Sequence, residues 1–303
     1  MRLFVAALVA VVLGAPDPIP AAHERFMPVG RSLAPGNEGP VEPAPDAPLG
    51  QRATGTDQPD AEPTLNQTHA VYFVPRDRPD ESLDDNGTLS RSITGTREWF
   101  ARETSRNGLG ARRPRMDRLA GGGWDITFVR GDQDAAAYTA LSVISAELTA
   151  KGLNDPNKRY LIYAALSRGG ICGEGFYPLP GFPTSGRFSA VYLDSDASCG
   201  ARDFGGGTAA TAGKAEAIAA HEWLHNEGVA SPLSPHHCPG SNYHVCTVVL
   251  YLLPGDMDTE SPDVLFPYIN ARLSAKVLDR DLDDYLDHSW PHLANLRASP
   301  WLE

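Results

Sequence analysis

The feature that most constrains this chain is HEWLH at residues 221–225, set in the helical stretch AGKAEAIAAHEWLHNEG at 212–228. On a helix, His221 and His225 stand one turn apart on the same face, so both imidazoles reach one metal ion. Glu222 is offset around the helix by about 100°. It is badly placed to ligate the same ion and well placed to act as a base beside it. Gly228 follows three residues after His225, and a glycine there can take positive φ and end the helix in a sharp turn. A chance pair of surface histidines on an amphipathic helix is the plainer alternative, and this context speaks against it.

A catalytic zinc site commonly takes three protein ligands and leaves a position for water, whose pKa the metal lowers to near neutrality. The third ligand is expected from the loop after Gly228. His236, His237 and His244 are candidates, with Asp256 and Glu260 as later carboxylates. Spacing alone does not choose among them. The segment SPLSP at 231–235 is stiff, because proline fixes φ, and a stiff approach suits ligand placement.

The rest of the chain supplies the setting. Arg2, the apolar run LFVAALVAVVL and a small-residue stretch before Pro read as a signal peptide over 1–15, too short for a stable membrane anchor. Residues 16–66 are rich in Pro, Ala, Gly, Asp and Glu and read as a disordered linker or pro-segment. The folded domain is expected over 67–303. Strands are expected at HAVYFVP, GWDITFVRG, KRYLIYAAL and RFSAVYLDS. Helices are expected from about Thr88 to Ser105, over DAAAYTALSVISAELTAKG and on the HEWLH stretch. This order predicts an α/β (α+β) fold, a mixed twisted sheet with packed helices. A formal charge of −12 argues against nucleic acid or an anionic membrane surface as partner.

Beyond its first block, HEWLHNEGVASPLSPHH departs from the standard metzincin signature, since Ser231 stands where the third His normally falls. It resembles instead a group of secreted metzincin-like zinc peptidases of actinobacteria with a longer gap before the third histidine. HCPGSNYHVC, the Ile171-Cys172-Gly173 turn, Asp283-Asp284-Tyr285 and NLRASPWL are similar to further blocks of that group. The resemblance implies a metzincin-like domain with His221, His225 and His236 as zinc ligands and Glu222 as general base. It also implies secretion and hydrolysis of peptide or protein substrates. Two departures stand out: Val245 replaces the family's Met beneath the metal, and Glu227 replaces a Leu. Two other readings remain open, an inactive secreted protein stapled by zinc and a zinc hydrolase acting on a non-peptide bond.

The four cysteines, in a chain read as exported, predict two disulfides. Their layout favours the local pairs Cys172–Cys199 and Cys238–Cys246. An extended substrate is expected to pair with an exposed strand edge near RFSAVYLDS.

Overall fold

The computed structural model describes residues 23–28, 53–54, 59–178, 186–229, 238, 244–246, 263–269, 271–279, 284–286 and 295–303. The predicted signal peptide lies outside them, as does most of the 16–66 stretch.

The mixed α/β architecture is as expected. Among the described residues, eight strands form one sheet: β1 (His23–Pro28), β2 (Ala53–Thr54), β3 (Gln67–Val74), β4 (Ile126–Arg130), β5 (Lys158–Ala164), β6 (Gly173–Phe176), β7 (Phe188–Tyr192) and β8 (Tyr268–Ile269). Their order is β2-β4-β3-β5-β7-β6-β1-β8. The strands β2, β4, β3, β5 and β7 run parallel; β6 is antiparallel to β7. Two pieces of the 16–66 stretch, β1 and β2, thus join the sheet. Strand β7 is not an edge as expected, because β5 and β6 flank it.

Both faces of the sheet centre are covered, which explains the near-continuous apolar runs of its strands. Side chains alternate across a strand with period two. On β3, Ala70, Tyr72 and Val74 pack with Leu89 and Ile93 of α1 (Thr88–Arg106) and with Ile218 and Ala219 of α3 (Lys214–Glu227). Val71 and Phe73 face the other way, with Leu141, Ile144 and Leu148 of α2 (Leu141–Ala150). The helix expected from Asp134 breaks before α2: a short 3-10 turn occupies Ala135–Ala137, and α2 begins at Leu141. Tyr138 causes the break. Its ring enters the core against Phe73, and its hydroxyl bonds the Glu147 carboxylate at 2.7 Å.

Helix α3 is buried along nearly its whole length, from Ala215 to Glu227. Its alanines allow close packing on β6 and β7. Glu216 caps its start, accepting from the Gly213 and Gly205 amides at 2.6 and 3.0 Å. Gly228, at φ 74°, ends it as the sequence predicts. Trp223 and Leu224 are in the core, and the Trp223 indole donates to Thr68 Oγ1 at 2.9 Å. Both expected disulfides are present, Cys172–Cys199 and Cys238–Cys246.

Candidate metal centre

The last two turns of α3 carry His221, Glu222 and His225, all fully buried. His221 Nε2 lies 3.0 Å from His225 Nε2 and 3.1 Å from Nε2 of His244. These three residues form a group able to offer one ligand atom each to a single ion. His244 was one of the candidates that spacing left open. His236, favoured by the resemblance, lies outside the described residues, as do His237, Asp256 and Glu260.

His244 is placed by three restraints. It sits two residues before Cys246, inside the loop closed by the Cys238–Cys246 bridge. Its carbonyl accepts from the Cys238 amide at 2.9 Å, and the next residue, Val245, donates to the Leu265 carbonyl at 3.1 Å. Val245 itself is buried in the apolar cluster that holds Trp223 and Leu224. The same neighbouring segment orients His221, whose Nδ1 is 2.7 Å from the Val264 carbonyl oxygen.

That contact sets the chemistry of the ring. A carbonyl can only accept, so Nδ1 carries the proton and Nε2 presents its lone pair to the other two histidines. Burial first, and then the neighbouring imidazoles, push the pKa of His221 and His225 well below the ordinary value. Neutral rings are the form that binds metal. Two nitrogens bound at about 2.0–2.1 Å to a tetrahedral ion lie roughly 3.3 Å apart, close to the separations found here. The donor set therefore fits a zinc-type ion by geometry, protonation state and outer support.

The support extends outward. Asp263, which precedes Val264, accepts from the Leu265 amide at 2.7 Å and from the Tyr285 hydroxyl at 3.1 Å. Asp279 accepts from the amides of Tyr285 and Leu286 at 2.9 and 2.6 Å. Tyr285 is a buried structural group here, tying two loops to the segment that orients His221.

Strand β6 walls the other side. A Cβ on Gly173 would lie 2.6 Å from Glu222 Oε1, and one on Gly175 would lie 2.8 Å from His225 Cβ. Only glycine lets the strand approach α3 this closely. The intervening Glu174 points to the opposite face, where it accepts from the Leu141 amide at the start of α2 at 3.1 Å and from the Tyr192 hydroxyl.

Glu227 neither joins the three histidines nor solvates the helix. It is buried against Arg159 and accepts from Ser299 Oγ at 2.5 Å, while Arg159 stacks on Trp301, 4.1 Å from the ring centroid. The Ser299–Leu302 block thus anchors the end of the described chain to α3.

A second group of possible ligands, His69, Asp117 and Asp125, does not suit a metal. Both His69 nitrogens are engaged, by Asp117 at 2.9 Å and Thr127 at 2.8 Å, and Lys158 already supplies a cation 2.6 Å from Asp117. Burial pushes the Asp117 carboxyl up, but His69 and Lys158 outweigh it and hold it below the usual range.

No family model matches the chain, and no curated protein matches it. Solved structures similar to it include wild-type OgpA from Akkermansia muciniphila, at 17% identity and TM-score 0.35, covering 62% of this chain and 53% of that one. Catalytically inactive OgpA in complex with an O-glycopeptide substrate matches at 17% identity and TM-score 0.34, covering 62% and 52%. The chain spans about half the length of these structures. Among the described residues no helix is long and apolar enough to cross a membrane.

Proposed function

We propose that the chain is an exported zinc-dependent peptidase, with His221, His225 and His244 as metal ligands and Glu222 as general base. The observation that carries this reading is the convergence of the buried imidazole nitrogens of His221, His225 and His244, with Glu222, buried on the same helix, next to His221 in the chain. The two disulfides support export, since such bridges persist in oxidising compartments.

A bound zinc ion supplies Lewis acidity, polarising the scissile carbonyl and activating water as a nucleophile. The protein residues do the remainder. Burial and the Val264 carbonyl keep His221 neutral and aimed. Glu222 takes a proton from the attacking water and passes it to the leaving amine, so the amide bond breaks to a carboxylate and an amine. Strand β6 packs closely against the Glu222 side chain at Gly173 and Gly175.

The test is Glu222→Gln, assayed with parallel peptide and ester libraries after zinc is restored. The variant is expected to keep its metal and lose turnover by about 10²-fold or more. Equal turnover in variant and parent overturns the role of Glu222. Cleavage of esters alone favours a non-peptide hydrolase, and bound metal with no turnover of either favours the stapled binding protein.

A further inference from the structure

Arginines gather around one indole on the surface of α1. The chain at 117–125 doubles back through Gly122 and Gly123, both at φ 88°, and the Asp125 amide donates to the Asp117 carbonyl at 3.0 Å. Arg118 and Trp124 are thereby cross-strand partners, and side chains so placed lie side by side on one face. The Arg118 guanidinium sits over the Trp124 ring, 4.9 Å from its centroid, and Arg97 of α1 sits 4.6 Å from the same centroid. The indole nitrogen donates to Thr94 Oγ1 at 3.0 Å, so the ring is fixed to α1 one turn before Arg97. These residues, with Glu98, Arg113 and Glu303, line a cleft of about 500 Å³.

The cleft already holds carboxylates. Glu98 accepts from Arg113 Nε and Nη2 at 3.0 and 3.3 Å, a planar fork. The Glu303 carboxylate accepts from Arg97 and lies 3.7 Å from Arg118 and 3.9 Å from Arg115. Donor capacity is left over. The Arg97 side chain is only 6% exposed, yet its Nη1 has no hydrogen-bond partner among the described residues. Arg118, 48% exposed, stands beyond hydrogen-bond reach of Glu303. Four guanidinium groups thus face two carboxylates, a local excess of two positive charges in a chain of formal charge −12. Burial lowers the Arg97 pKa to about 10; Glu303 opposes this, and Arg118 and Arg113 add to it. Arginines stacked on an aromatic ring keep their N–H edges available for fork-like recognition of carboxylates. We propose that this cleft binds a small organic dicarboxylate, gripped between Arg97 and Arg118 beside Trp124, with the Glu303 side chain as an internal carboxylate that competes for the same two arginines. None of its lining residues belongs to the three-histidine group, so the proposal stands or falls apart from the peptidase reading.

Calorimetric titration of the full chain with succinate, at fixed ionic strength, tests this. Saturable binding at one site is expected. Glu303→Gln removes the competing charge and is expected to tighten binding about fivefold. Arg118→Met is expected to weaken it at least about tenfold, with an unchanged thermal midpoint reporting an intact fold. Arg118→Lys is expected to recover only part of that loss, because an ammonium lacks the planar fork. No saturable binding in either the parent or Glu303→Gln overturns the site. So does an affinity that Arg118→Met leaves unchanged, because the anion then sits elsewhere. Inorganic sulfate binding as tightly as succinate overturns the choice of a carboxylate, and acetate binding as tightly overturns the choice of a dianion.

Discussion

His221 Nδ1 donates to the Val264 carbonyl at 2.7 Å, and this one bond turns the lone pair of the opposite nitrogen toward His225 and His244. Val264 is flanked by Asp263 and Leu265, and the Asp263 carboxylate accepts from the Leu265 amide at 2.7 Å and from the Tyr285 hydroxyl at 3.1 Å. Removing that hydroxyl with Tyr285→Phe is expected to lower zinc affinity by about tenfold, the low end for loss of an outer partner. Competition with a chromophoric chelator measures it. Unchanged affinity would show that Val264 is placed without Tyr285.

Gly175 is a packing requirement rather than a turn. Gly175→Ala puts a methyl 2.8 Å from His225 Cβ and 3.1 Å from Glu222 Oε2. Overpacking of this kind costs about 1–3 kcal/mol. Denaturant unfolding should register the loss, and turnover should fall further than stability alone explains. A variant as stable and active as the parent would mean that β6 can move away from α3.

The Cys238–Cys246 bridge closes the short loop that contains His244. In the chain-entropy model such a bridge contributes roughly 2–3 kcal/mol, and here it also restrains His244. Cys238→Ser with Cys246→Ser is expected to weaken zinc binding at least about tenfold while Cys172–Cys199 stays oxidised. Peptide mapping without reductant checks the second bridge, and equal zinc affinity would remove the loop from the account.

The sequence reveals the parts of this structure whose physics is local. Period-two burial on β3, the glycine stop at Gly228 and the i, i+4 histidines are each set by neighbours in the chain. Strand β6 was legible only as an Ile-Cys-Gly turn, because glycines argue against a strand unless another element must approach it closely. The break at Tyr138 depends on Phe73, which is distant in sequence. The third histidine depends on how 244–246 lies against 263–265, a long-range pairing that spacing does not encode. The signal available was its place two residues before a cysteine of the short loop.

Lys276, which donates to the Asp263 carbonyl at 3.3 Å, offers a pH test. It is buried, and desolvation pushes its pKa down to about 8 from 10.5. The native state therefore releases this proton at lower pH than the unfolded chain does. The penalty for burying the charge is present in full below pH 8 and is relieved as pH rises toward 10.5. Relative to Lys276→Met, the parent's unfolding free energy should rise between pH 8 and 10. Parallel pH profiles for the two proteins would contradict this.

Zinc affinity of His244→Ala beside His236→Ala, by chelator competition on the full chain, tests the central claim most directly. The claim is that His244 completes the site with His221 and His225. The account predicts that His244→Ala loses zinc affinity by about 10²-fold or more, while His236→Ala stays within a few fold of the parent. A large loss at His236 with little at His244 would contradict it.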